Sequence, residues 1–495
     1  MVDSDGLKMG TAAGRWVLVA TVLGSAIVMI DGTVVNVALP HIGRDLGGGF
    51  GGLQWTINAY TLALAAFILL GGSLGDHFGR RRVFVIGVIW FAVASAACGV
   101  APNIELLIAG RVLQGVGGAL LTPGSLALIS ASFHGVDRAA AIGAWSGLGG
   151  LAGAVGPFLG GFLVEWSWRA VFLINLPMAA VVVVVTLLRV PESRDTESPP
   201  GLDVTGTVLA ALGLAALTFG LTGLGSRGPG APALVAIGVG VLALGMFVVA
   251  QRRSPHPLVP PALFRNSMFR VANVMTLLIY GALGAVFLVL VLQLQTVAGF
   301  SPVAAGAALL PVTAILLVFS AKAGALAGRV GPRLPMTFGT LLSAGGLLLM
   351  LRIGTDASWP LDVLPAGLVF GAGVALVVAP LTSAVLDSAP DRLAGAASGV
   401  NNAVARAGGL LAVAVIPGIA GIRGADYADP AAFNAGFRTS IVIAAALLVG
   451  AAALAFTGTK SRHAPRGVSE RILIEQRPHC PISGPPAHPT FNKAE

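Results

Sequence analysis

Residues 26–40 read AIVMIDGTVVNVALP, and Asp31 is the only ionised side chain among them. The run lies inside a longer apolar segment that begins near Trp16. An apolar helix loses stability by carrying an aspartate, and a helix in lipid loses more than one in a protein core. The solvent around this segment therefore decides both the fold and what Asp31 is for.

Composition answers the first question. Of 495 residues, 56% are hydrophobic and only 10% charged, and the mean hydropathy is +0.88. Soluble domains carry roughly 25% charged residues, so this chain cannot hide its apolar surface in a water-soluble core. Apolar runs of about twenty residues, long enough to cross a bilayer, recur along its length. They are continuous rather than alternating, which selects helices over a barrel as the way to satisfy backbone groups in lipid. The 68 glycines fit close helix packing in a membrane. The expected class is an all-α membrane protein of about fourteen spans, with a lipid bilayer as its surroundings.

The spans divide the chain. Residues 1–15 precede the first, 16–190 hold six, and a polar loop covers 191–203. Two further spans fill 204–250, a basic loop 251–270, and six more spans 271–457. Residues 458–495 are polar and Pro-rich and are expected to be a disordered tail. A cleaved signal peptide is not expected: the first apolar segment is too long, and no small-x-small site follows. With the N-terminus inside, Arg80, Arg81, Arg82, Arg138, Arg194, Arg252, Arg253, Arg265, Arg329, Arg333 and Arg392 fall in inner loops. Outer loops hold only Arg44, Arg169, Arg227, Arg352 and Arg423. This asymmetry places both termini in the cytoplasm. It also accounts for the net charge of +9 without nucleic acid. Cys98 and Cys480 are too far apart in kind, one in a span and one in the tail, for a disulfide framework. His479, Cys480 and His488 lack the spacing of a metal site. Few Lys with many Ala, Gly and Arg suggest a GC-rich bacterial source.

The two ends of the chain echo each other. GSLGDHFGRR (72–81) is answered by GALAGRVGPR (324–333), and QGVGGALLTP (114–123) by FGAGVALVVAP (370–380), at nearly the same separation. A duplicated six-helix half with two inserted spans explains this, and parallel repeats around a midplane site mark secondary transporters. Gly-rich pieces such as GLGGLAG (147–153) lie within spans and follow no strand, so they are not nucleotide-binding loops.

These motifs resemble the major facilitator superfamily, and within it the fourteen-span drug:proton antiporters, over nearly all of the chain to about Thr457. GSLGDHFGRRR (72–82) is similar to the superfamily's signature loop, and GRVLQGVGG (110–118) to its Arg-containing motif. Ala152, Gly156, Pro157, Gly160 and Gly161 follow the antiporter pattern G-x-x-x-G-P-x-x-G-G, with Ala152 in place of the leading glycine. WRAVFLINLP (168–177) and IDGTVVNVALP (30–40) resemble signatures of the fourteen-span branch. The resemblance implies two six-helix bundles plus two central spans, and proton-driven export by alternating access with no cofactor. It also implies a gate at Gly72, Asp76, Gly79, Arg80 and Arg81, in which Asp76 and Arg80 latch the two halves and Asp76 caps the thirteenth span. Gly328 stands where the echo would need the aspartate, so a second latch is weaker or absent.

The residues also have readings of their own. Ala152, Gly156 and Gly160 are four apart and form a smooth stripe for a neighbouring helix, and Pro157 removes a backbone hydrogen bond. Close packing alone would explain that stripe, as a solvated positive-inside loop would explain Arg82. Asp31 lies about nine residues before the outer end of its span near Pro40, and Arg111 about eight past the start of the fourth near Asn103. At 1.5 Å per residue both sit roughly 10–13 Å below the outer boundary, so they are plausible neighbours; Arg406 is the other buried cation. A permanent ion pair fixing the helices and a carboxylate that exchanges its proton are both open.

Candidate substrate contacts are Met29, Thr33, Asn36, Trp55, Asn58, Tyr60, Gln293 and Gln295. Packing serves equally well for the two glutamines. The second half offers no deep acid, Asp387 lying near the inner end of its span, so neutral, zwitterionic or monocationic amphiphiles fit better than divalent cations. No nucleophile–base pair, metal cluster or ATP loop points to an enzyme, and no obligatory protein partner is evident. The leading expectation is proton-coupled export of hydrophobic drugs and antibiotics across a bacterial cytoplasmic membrane. A dedicated exporter of an endogenous metabolite, siderophore or lipid, and a non-transporting sensor or scaffold, are the alternatives.

Overall fold

A computed structural model describes residues 7–194, 203–228, 230–255, 257–390, 393–424 and 429–459. The tail beyond Thr459 and most of the polar loop at 195–202 lie outside these residues, and so do Cys480, His479 and His488. Fourteen helices are long and apolar enough to cross a membrane. They are α1 Ala12–Leu46, α2 Gly49–Phe78, α3 Arg80–Gly99, α4 Ile104–Ser132, α5 Ala140–Trp166, α6 Ala170–Arg189 and α7 Val204–Ser226. There follow α8 Ala231–Arg253, α9 Ser267–Val297, α10 Pro302–Val330, α11 Arg333–Arg352, α12 Trp359–Asp387, α13 Ala394–Ile419 and α14 Pro430–Gly458.

Several helices outrun the apolar segments that betray them. α1 begins at Ala12, where the Thr11 hydroxyl caps the Gly14 N–H at 3.1 Å, and runs on past Pro40 to Leu46. A backbone already hydrogen-bonded in lipid gains nothing by unwinding at the interface, so polar ends continue the helix.

The repeat is visible in the packing. α1 lies on α5 and α6 as α9 lies on α13 and α14; α4 lies on α2 and α3 as α12 lies on α10 and α11. The echoed loops match in detail, since both turn through a glycine in the left-handed region: Gly79 at φ 107° and Gly331 at φ 83°. Gly79 is favoured by that backbone angle, which side-chain-bearing residues rarely adopt.

The first and last described residues lie at one end of the bundle. Leu7 pairs with Ser132 and Phe133 at the close of α4, and Gly458 sits on Val271 near the start of α9. The opposite, distal end carries the turn at Gly47 and Gly48. There the halves are joined: Gln54 Nε2 donates to Val413 O at 2.7 Å, Gln295 Nε2 to Val37 O at 3.0 Å, and Phe50 N to Gly424 O at 2.9 Å. Bare glycines bring backbones together at the same end, Gly161 against Pro302 and Gly306 against Pro157.

The inserted pair α7–α8 forms a hairpin. α7 alone reaches far into the rest, packing on α2 and on α13, with Trp55 and Phe219 rings 6.2 Å apart and Gly225 on Gly418. Asp203 caps α7 through Gly206 N (2.8 Å) and accepts from Gln251 Nε2 of α8 (2.6 Å), pinning the hairpin's open end.

Candidate functional site

Asp31 is fully buried, and its carboxylate is met by three donors from two other helices. Arg111 Nη1 donates to Oδ2 at 2.5 Å; Gln114 Nε2 and Asn175 Nδ2 donate to Oδ1 at 2.8 and 3.1 Å. The equal depth read from the sequence thus ends in direct contact. Arg111, 1% exposed, is itself held on three sides. Its Nε donates to Thr56 O (3.0 Å), its Nη1 also to Gln114 Oε1 (2.7 Å), and its guanidinium lies over the Tyr60 ring at 4.2 Å. Ser95 closes the network: its Oγ accepts from Gln114 Nε2 (3.1 Å) and Asn175 Nδ2 (3.0 Å) and donates to Phe172 O (2.8 Å).

Each member is placed by its helix. Arg111 and Gln114 are three apart on α4, hence one above the other on one face. Gly110 and Gly115 let α4 approach Cys98 of α3 and Tyr60 of α2 without a methyl between. Asn175 stands where α6 is interrupted after Leu173, so its amide is turned inward at the break. Charge, amide and hydroxyl together offset the cost of carrying a carboxylate at hydrocarbon depth, which is about 2.5–3.5 kcal/mol on insertion scales. Three members were not singled out from sequence: Gln114, Asn175 and Ser95. Gln114 and Asn175 stood inside quoted motifs, QGVGGALLTP and WRAVFLINLP, and the polar side chain in an apolar motif was the available signal.

The antiporter-like stripe faces α1. A Cβ on Gly156 would overlap the Thr33 hydroxyl, and one on Gly160 would overlap Val34. Thr33 Oγ1 donates to Gly153 O at 3.1 Å, and Met29 packs on Gly153. Gly161 and Pro157 face α10 across the divide between halves. The helix bearing Asp31 is thus seated on α5 by the absence of side chains.

The other expected contacts fall in several places. Asn36 is half-buried on α1. Trp55 turns to Phe219 of the inserted α7, and Tyr60 lies beneath Arg111. Asn58 is buried with neither amide atom partnered among the described residues. Gln293 donates to Ile353 O and Asn434 Oδ1, both at 2.8 Å, within the second half, whereas Gln295 bridges the halves.

At the terminal end, Asp76 pairs with Arg80 at 2.8 Å, four residues on. Arg80 N donates to Ser193 O (2.9 Å), Arg81 N to Glu192 Oε1 (3.0 Å), and Arg81 Nη1 to Val190 O (3.0 Å). The segment after α6 is therefore docked on the signature loop, with Gly72 against Pro123 nearby. The expected cap of the thirteenth span by Asp76 is not formed among the described residues: α13 starts after Leu393 with no side-chain hydrogen bond at its cap, and the Asp76 carboxylate is taken by Arg80 instead. No group of three or more His, Cys, Asp or Glu able to hold a metal occurs among the described residues.

Two matching six-helix bundles joined at one end, the first of them holding a buried ion pair, define a membrane transporter. The chain belongs to the Major Facilitator Superfamily, whose family model matches residues 21–413. It is 36% identical over 406 residues to "Multidrug resistance protein Stp" of Mycobacterium tuberculosis (strain CDC 1551 / Oshkosh), covering 81% of this chain and 74% of that one. It is 36% identical over 402 residues to the "Tetracenomycin C resistance and export protein" of Streptomyces glaucescens, with the same two coverages. To the "Probable actinorhodin transporter" of Streptomyces coelicolor it is 37% identical over 462 residues, 88% of this chain and 79% of that one. Among solved structures, a bacterial homologue of the human lysosomal transporter Spinster superposes with a TM-score of 0.66 at 18% identity. It covers 92% of this chain and all of that one, a likeness of fold.

Proposed function

We propose that this protein exports apolar or amphiphilic drugs and antibiotics across the bacterial cytoplasmic membrane, in exchange for protons, by alternating access. Both termini lie in the cytoplasm, and the distal end faces outward. The observation that carries the reading is the Asp31 network: a carboxylate at hydrocarbon depth, fully buried, held by one cation and two amides. A purely structural ion pair gives no use for a carboxylate, since replacing a buried pair by apolar residues is often neutral or stabilising.

The residues suggest how the exchange works. When Asp31 takes a proton at Oδ2, the bond from Arg111 Nη1 weakens. Arg111 does not fall free, because Gln114 Oε1, Thr56 O and the Tyr60 ring still hold it. The proton thus changes one contact between α1 and α4 and leaves the rest in place. α1 then shifts on its smooth seat on α5, and the junctions at Gln54–Val413 and Gln295–Val37 open the distal end. Return of the proton to the cytoplasm restores the pair. Each proton entering down 100 mV carries about 2.3 kcal/mol, enough to drive uphill export of one apolar molecule by some fiftyfold.

The relatives named for antibiotics favour a second reading within the same mechanism, in which the natural cargo is an antibiotic made by the producing cell. Everted vesicles test the shared part. Substrate added to energised vesicles should release protons. Asp31→Asn should abolish that release while the protein stays folded and membrane-inserted. Normal proton-coupled export by Asp31→Asn overturns the assignment.

A further inference from the structure

Arg406 is the cation that the network leaves out. It stands at the midpoint of α13, half-buried, and among the described residues no carboxylate pairs with it and no acceptor meets its guanidinium. A guanidinium at that depth is expensive. Asp31 does not offset it, being already matched by Arg111. The central layer therefore carries one positive charge in excess.

Its surroundings follow from register. Gly399, Arg406 and Val413 are seven apart, nearly two turns, and so share one face of α13. That face is turned on α2, because Gly399 sits on Leu69 and Val413 O accepts from Gln54. The two contacts run antiparallel and put Arg406 opposite Thr61 and Leu62. On α2 the matching face runs through Gln54, Asn58, Thr61, Ala65 and Leu69. Asn58 is therefore one turn from Arg406, and it is the buried amide with neither atom partnered among the described residues. On the other flank, Gly408 and Gly409 press α13 onto Leu277, Gly281 and Gly284 of α9. Arg406 consequently stands between the halves.

The geometry points to Arg406 and Asn58 as an acid-binding subsite that receives the carboxylate of an otherwise apolar cargo. This rests on the export reading and sharpens its substrate class. A guanidinium offers two parallel N–H groups to a carboxylate, and the Asn58 amide adds a further donor one turn away. An acid bound there cancels the excess charge and partners both orphaned groups at once. A neutral cargo leaves the charge unmatched, and a cation is repelled. On this proposal, the neutral, zwitterionic or monocationic amphiphiles expected from the sequence narrow to those that carry a carboxylate, and purely acidic amphiphiles join them.

The test uses a fluorescent pair, pyrenebutanoic acid and its methyl ester, binding to the full-length protein in lipid nanodiscs. The wild type should bind the acid at least tenfold more tightly than the ester. Arg406→Gln should bring the two affinities within twofold while keeping ester binding, which also shows that the variant is folded. Asn58→Ala should lower acid affinity two- to fivefold and leave the ester unchanged. Equal binding of acid and ester by the wild type overturns the proposal. So does an Arg406→Gln variant that weakens both alike, or an Asn58→Ala variant with an unaltered acid-to-ester ratio. Asp31→Asn should keep or raise the acid preference, so failure of proton coupling and failure of this subsite give different results.

Discussion

The two halves share a packing scheme and differ in chemistry. Where α4 places Arg111 and Gln114 in the first half, the matching turns of α12 carry Gly367 and Phe370, both buried, with Phe370 in an apolar cluster. α12 nonetheless packs on α10 and α11 just as α4 packs on α2 and α3. The same packing scheme is thus built without a polar network at that site. What the first half gains from Arg111, Gln114, Asn175 and Ser95 is a place to keep one carboxylate in oil, and packing alone does not call for that.

The comparison breaks most sharply if the carboxylate loses its cation. Arg111→Met should leave Asp31 buried and unmatched, at a cost of about 3–5 kcal/mol, read as a large drop in thermal unfolding temperature in detergent. Adding Asp31→Asn to the same chain should restore most of that loss. Recovery absent from the double variant would mean that Arg111 is held for reasons other than Asp31. A smaller effect is expected at the seat of α1. Gly156→Val should cost about 1–3 kcal/mol by overpacking against Thr33 and should stop export even where the protein accumulates normally. The smallest is at the signature loop. Asp76 and Arg80 are partly exposed, 34% and 18%, and four apart on the chain, so Asp76→Asn should lower stability by only about 0.3–0.5 kcal/mol. Unfolding at low and high salt checks this, since the loss should shrink as salt screens the pair.

Much of this was legible in the sequence, for physical reasons. Continuous apolar runs can only be helices in lipid, so the fourteen spans are dictated by solvent. Rise per residue fixes depth, and depth alone brought Asp31 and Arg111 to the same level. Rotation about a helix axis is another matter, because hydropathy is nearly uniform around a span and says little about which way a side chain points. That is why Trp55, a candidate for cargo contact, turns to Phe219 on an inserted helix, and why Gln293 serves the second half's own packing. Gln114 and Asn175 escaped notice for a related reason: a neutral amide in a span is common, and only its neighbours show whether it holds a carboxylate. The docking of Glu192 on the signature loop was equally hidden, since the partners lie more than a hundred residues apart.

The placement of α7 has a mechanical consequence. It rests on α2 from one half and α13 from the other, astride the line along which the two would part. If those halves pivot, α7 works as a bearing, and the Gly225–Gly418 contact is its sliding surface. On the alternating-access reading, the inserted hairpin would brace one seam between the halves rather than merely lengthen the chain.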